Sequence, residues 1–132
     1  MEYGNYYYAF NPSVSIDKDS FHRSMKLIAV IYDVLNEYDI NVKCKGYTYM
    51  RDAICIITDL RRMDVCFEKE VYSLIADKYD TGGTYTVEHN IRNALNSAYC
   101  RSEYFTAKPT NKTFLLMAVQ EVSDRLLKEM CV

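Results

Sequence analysis

The segment DTGGTYTVEHNIRNALNSAYCR, residues 80–101, decides how the rest of the chain is read. Gly82 and Gly83 supply the backbone freedom of a tight turn between helices, and Thr84 is placed to cap the helix that follows. Val87, Ile91, Ala94, Leu95 and Ala98 then recur at helical spacing and form a stripe to be buried. The positions left over, Thr86, His89, Asn90, Arg92, Asn93 and Asn96, make an outward face of hydrogen-bonding side chains. Asn and Arg are the types that pair bidentately with adenine and guanine edges in a major groove, so the helix reads as a recognition helix. An ordinary solvated helix face carries similar residues, and the flanking sequence has to separate the two readings.

Immediately upstream, residues from about Phe67 to Tyr79 have helical spacing with Val71, Leu74, Ile75 and Tyr79 inward. Helix, glycine-containing turn, helix is the helix-turn-helix pattern, in which the second helix enters the groove. Further upstream, KGYTYMRDAICIITDLRRM, residues 45–63, places Met50, Ala53, Ile54, Ile57 and Leu60 on one stripe, with Arg51 and Asp52 outside it. A break from Asp39 to Lys45 separates this helix from a first one, capped by Asp17 or Asp19 and running to about Tyr38. Its stripe is broad: Phe21, Met25, Ile28, Tyr32 and Leu35 on one face, widened by Leu27, Ile31 and Val34. Downstream, Lys108-Pro109-Thr110-Asn111 restarts a helix with Thr110 as its cap, and Phe114, Leu115, Ala118, Val122, Leu126 and Met130 form the last stripe. The expected fold is all-α, a compact multi-helix domain of about five to six helices containing a helix-turn-helix. The division is a tyrosine-rich segment over residues 1–16, with Tyr3, Tyr6, Tyr7, Tyr8 and Phe10, and a single helical domain over 17–132.

With 132 residues, 49% of them hydrophobic, the chain can close one core, and 4 Gly and 2 Pro leave long uninterrupted segments. The net charge of −2 argues against a blanket electrostatic grip on a polyanion, because Lys and Arg neutralising phosphates supply most non-specific DNA affinity. Five cysteines are scattered singly with no CxxC pair and two histidines, which points to reduced thiols and neither a metal site nor a disulfide scaffold. No apolar run approaches the ~20 residues of a membrane span. A cytoplasmic protein with no membrane, cofactor or small-molecule partner is expected. Nor is an enzyme: Glu88 and His89 are neighbours that point about 100° apart on a helix, Cys100 has no nearby base, and no Gly-rich phosphate loop or GxSxG elbow occurs.

Four blocks, KGYTYMRDAICII (45–57), VYSLIADKYDT (71–81), VEHNIRNAL (87–95) and AKPTNKTF (107–114), carry a resemblance. In order and approximate spacing they are similar to the C-terminal DNA-binding domain of stage 0 sporulation protein A, the response regulator of endospore formation. The resemblance covers roughly residues 34–126. It implies an all-helical fold with a helix-turn-helix, whose reading helix is the one over 84–101. The family's helix has an Arg just before the Val-Glu pair and another just after it; here Thr86 and His89 stand there, while Glu88 and Arg92 are retained. Each absent arginine removes a contact worth ~1–3 kcal/mol of discrimination, so the family's DNA box does not carry over. The turn before the reading helix is one residue longer, the loop from Cys100 to Thr106 is shorter and expected to lack a small helix, and Thr113 replaces a capping-box Glu. The family's receiver domain with its phosphoacceptor Asp is expected to be missing, its place taken by the tyrosine-rich segment and first helix, which close the core or mediate association.

The base-reading set expected from this comparison is Thr86, Glu88, His89, Asn90, Arg92 and Asn93, with Glu88 accepting from a cytosine amino group. Lys43, Lys45, Arg51, Lys108, Thr110, Asn111 and Lys112 are the expected phosphate contacts. The partner would be double-stranded promoter DNA, bound by a homodimer or by tandem copies touching through the last helix. The alternative is an interaction module of the same fold that has lost strong DNA binding and modulates a full-length regulator. The acidic balance and the missing arginines favour it.

Overall fold

In the computed structural model of the chain, the residues described are 18–103 and 105–130. They form five α-helices: α1 (Lys18–Glu37), α2 (Lys45–Leu60), α3 (Ser73–Tyr79), α4 (Thr84–Arg101) and α5 (Asn111–Met130). A wide π-helical segment, Phe67–Tyr72, runs directly into α3, so the single helix expected over Phe67–Tyr79 has two windings. No strand occurs among the described residues. The tyrosine-rich segment and Asp17 lie outside them.

The sequence explains why α2 is central. Ala53, Ile54, Cys55, Ile56 and Ile57 are consecutive apolar residues, and a helix that is apolar all round must be covered all round. Each is at most 1% exposed. α1 and α5 cover one side of α2, and α4 with the π segment covers another. Arg61 ends α2 in the left-handed region (φ 60°), its N–H returning to the carbonyls of Ile57 and Thr58.

α1 contributes Leu27, Ile28, Val30, Ile31, Val34 and Leu35 to the core. Met25, expected inward, is 46% exposed, and Ser24 is buried in its stead. Positions 24, 27, 28, 31 and 35 keep the i, i+3, i+4, i+7 rhythm, and residue 25 falls about 100° off that ridge. Tyr32 is half-buried, and the Phe21 side chain lies outside the described ones. Arg125 on α5 clasps Glu37 at the end of α1 with two hydrogen bonds of 2.7 and 2.8 Å. That ion pair holds the Glu37 carboxyl below its ordinary pKa, the Arg125 hydrogen bond being the main cause. Nearby, Phe105 in the loop after α4 packs on Tyr38 (5.3 Å between centroids) and Phe114 (6.0 Å), so the described loop residues close the α1–α5 end by aromatic contact, without a helix.

One polar network sits inside. Asp52 is fully buried; its Oδ1 accepts from Arg51 Nε (3.1 Å), and its Oδ2 accepts from Tyr79 Oη (2.6 Å) and Lys78 Nζ (3.3 Å). Arg51 also donates to the hydroxyls of Tyr32 and Tyr79, both at 3.1 Å. Burial works against the Arg51 charge, but the Asp52 carboxylate and the Tyr32 hydrogen bond outweigh it and raise its pKa. The network joins α1, α2 and α3.

Candidate nucleic-acid interface

The turn into α4 is set by backbone geometry. Asp80 ends α3 in the left-handed region (φ 51°) and Gly82 continues there (φ 85°), so Gly82 is the turn glycine that a positive φ demands. Gly83 is extended. It occupies the N-cap position of α4, and Thr84 is the first helical residue with no capping hydrogen bond, contrary to the role expected for it. The hydroxyl that serves the turn is that of Thr81, which donates to the Gly83 carbonyl at 2.7 Å.

Two contacts then position α4. Gly46, in the first turn of α2, lies so close that a Cβ on it would stand 2.3 Å from the Asn90 carbonyl oxygen and 2.7 Å from Ala94 Cβ. On the other side, Asn111 at the start of α5 donates from Nδ2 to the Glu88 carbonyl at 3.0 Å and hydrogen-bonds the Tyr72 side chain. Thr110 caps α5 as expected, accepting from the Thr113 N–H at 3.1 Å. At about 100° per residue, Asn90 and Glu88 lie on opposite flanks of α4, with His89 on the crest between them, directly away from the buried Val87, Ile91, Ala94, Leu95 and Ala98.

That arrangement sorts the expected residues. Lys43 and Lys45 are exposed and precede Gly46, whose backbone meets α4 at Asn90. Lys108, Thr110, Asn111 and Lys112 line a cleft of about 440 Å³ on the other flank, together with Glu88 and Arg92. Asn96, although its spacing puts it near the crest, lines the same cleft with a buried Oδ1 that has no partner among the described residues. The start of α5 therefore covers the Glu88 flank of α4, while Tyr85 and Asn93 on the outward face stay exposed. Arg51 does not line this cleft: its guanidinium is bonded to Asp52, Tyr32 and Tyr79, which gives it a structural role apart from the phosphate contact expected of it. Its position off the apolar stripe suggested solvent, but the side chain is only 16% exposed and its guanidinium is bonded within the fold.

On the outward face of α4, the polar side chains are bonded to one another. Asn90 donates from Nδ2 to the Thr86 carbonyl at 2.8 Å. Arg92 reaches Glu88 at 3.1 Å and His89 Nδ1 at 3.3 Å. Arg92 only donates, so Nδ1 accepts and the hydrogen of a neutral ring is on Nε2. Asn93 meets Nε2 at 3.1 Å with whichever amide end complements it. The expected set missed Tyr85, which is 68% exposed and stacked on His89 with ring centroids 5.4 Å apart and planes 14° from parallel. An aromatic four residues before a histidine on one helix face was the available signal.

The profile of the family described as "Sporulation initiation factor Spo0A C terminal" matches residues 31–122. The chain belongs to that family. The Spo0A C-terminal family comprises helix-turn-helix DNA-binding effector domains that regulate sporulation transcription, not enzymes, and the all-helical fold agrees with it. The match begins partway along α1, yet Leu27, Ile28 and Val30 ahead of it are core residues, so the folded unit of this Spo0A-type domain extends beyond the family's shared region. No helix among the described residues is long and apolar enough to cross a membrane.

Proposed function

We propose that this protein is a sequence-specific DNA-binding transcriptional regulator acting in the cytoplasm, with the N-terminal half of α4 in the major groove. The observation that carries this reading is the outward crest of α4, with Tyr85 and Asn93 exposed, set between the close approach of Gly46, which the exposed Lys43 and Lys45 precede, and the cleft lined by Lys108, Lys112 and the capped start of α5. Groove walls are phosphate-lined, so a crest of Thr86, His89 and Asn93, with Arg92 and the two lysines of the cleft on one flank, suits a helix seated against a backbone. Double-stranded promoter DNA is the partner, met by one copy or by copies on adjacent sites.

Salt titration tests it. Four lysines on phosphates give a log–log slope of roughly −3 to −4, so affinity falls about 100-fold between 50 and 200 mM salt. Replacing Lys108 and Lys112 together by Ala should reduce that slope by about 2. The second reading, an interaction module that modulates a full-length regulator, is favoured by the mutual bonding of the α4 side chains and the net charge of −2. Absence of duplex binding at low salt, with capture of a full-length regulator of the same family, would decide for it.

A further inference from the structure

Resting on the DNA-binding reading, we propose that Tyr85 is a specificity-determining residue that takes the 5-methyl group of thymine, with His89 as the ring that holds it in position. Among the described residues Tyr85 is the most exposed of the large apolar side chains. Its position in the first turn of α4 is where recognition helices contact base edges. Exposure of one aromatic is ordinary on any surface. The support beneath this one is not.

The Tyr85 ring lies parallel on His89, and both His89 nitrogens are tied, one to Arg92 and the other to Asn93. The ring beneath Tyr85 is thus held in place, and stacking on it lowers the side-chain entropy that Tyr85 has to lose on binding. The turn beside Tyr85 is uncrowded too: a Cβ placed on Gly82 or Gly83 would find no atom within 4 Å beyond its own chain neighbours. The hydrogen-bonding neighbours Asn90, Arg92 and Asn93 already have partners within the helix, which leaves the apolar ring as the ready contact. On the major-groove edges of the four base pairs the one apolar group is the thymine methyl. An aromatic ring offered there selects for it.

The test uses the full chain and duplexes selected from a random pool. Each thymine of a selected duplex is replaced singly by deoxyuridine, which removes only the methyl group, and binding is followed by fluorescence anisotropy. The expectation is one or two positions where the wild type weakens roughly threefold to fivefold, the size of one buried methyl contact. Tyr85→Ala should bind all these duplexes alike, Tyr85→Phe should retain the discrimination, and both should melt like the wild type, since the side chain supports no core contact. A Tyr85→Ala variant that keeps the same thymine sensitivity, or selects the same sequences, overturns the assignment while leaving DNA binding intact. A wild type that enriches no duplex overturns the DNA-binding reading itself. Loss in Tyr85→Ala of association with a protein partner, with DNA selection unchanged, assigns the ring to protein recognition and also overturns the proposal.

Discussion

Gly46→Ala puts the positioning of α4 to a quantitative test. A Cβ at residue 46 would lie 2.3 Å from the Asn90 carbonyl oxygen and 2.7 Å from Ala94 Cβ, whereas ordinary contact begins at 3.4 Å. Neither obstacle is the far end of a flexible side chain, so α2 and α4 have to separate by about 1 Å. Overpacking of that kind costs typically 1–3 kcal/mol, and the immobility of both atoms puts this site at the upper end. Against it stands the helix-propensity gain of Ala over Gly, about 1 kcal/mol. The net is a loss of about 2 kcal/mol, or roughly 5–10 °C in melting temperature for a domain of this size. Thermal melts followed by circular dichroism read the first effect. DNA affinity at fixed salt reads the second, because the crest of α4 would move relative to Lys43 and Lys45. A Gly46→Ala protein that melts at or above the wild-type temperature refutes the close approach, since propensity alone would then be operating.

Three further changes probe the scaffold. Asp59 is 1% exposed, and neither carboxyl oxygen has a hydrogen-bond partner among the described residues; burial pushes its pKa up from 3.8 to about 7, against the pull of Arg61. The folded value lies above the unfolded one, so the stability held by the protonated form is complete below about pH 4 and is lost as pH rises through about 7. Urea melts should show the wild type losing roughly 2–4 kcal/mol relative to Asp59→Asn across that window, and parallel curves would contradict the assignment. Asp52→Ala leaves Arg51 and Lys78 without their buried carboxylate and should cost about 3–5 kcal/mol in the same assay; a loss under about 1 kcal/mol would show the network to be incidental. Thr110→Ala removes the α5 cap and should cost about 1 kcal/mol, with raised amide exchange at Thr113 as the local readout.

What the sequence made legible follows from periodicity. The stripes of α4 and α5 were readable because each helix has one covered face, and Val87, Ile91, Ala94, Leu95, Phe114, Leu115, Ala118 and Val122 are all buried as their spacing requires. α2 misled at Arg51 and Asp52, because stripe logic assigns off-stripe charges to solvent. The run Ala53–Ile57 held the corrective signal: five apolar residues in succession imply cover on every side, and a charge beside them then needs partners such as Lys78 and Tyr79. The capping of α4 was misplaced by one residue because Thr84 and Gly83 are both admissible caps, and the left-handed Asp80 and Gly82 upstream settle which one meets the helix. Tyr85 lay off the buried stripe and is not one of the amide, guanidinium or carboxylate side chains by which base-reading residues are sought, so an apolar contact was overlooked. Gly46 reads in sequence as a weak helical position, and only the neighbouring helix shows its use.

The mutual bonding on α4 changes what its charged residues are expected to do. A guanine contact by Arg92 gains ~1–3 kcal/mol of discrimination, but it has first to leave Glu88 and His89, each hydrogen bond being worth about 1 kcal/mol net. Much of the gain is thereby offset, and Glu88 also brings a negative charge to a groove lined by phosphates. Glu88→Gln should therefore tighten binding to duplex DNA by threefold or more at 100 mM salt and sharpen selection of guanine opposite Arg92. Stability should fall by no more than about 0.5 kcal/mol, the value of one exposed i, i+4 pair. The competing role, in which Glu88 accepts from a cytosine amino group, predicts the opposite sign: weaker binding and a relaxed preference at one C·G pair. Anisotropy titrations with the selected duplex, alongside a repeat selection with the variant, separate the two. Weakened binding would identify Glu88 as a reader, and tightened binding would show that it restrains Arg92.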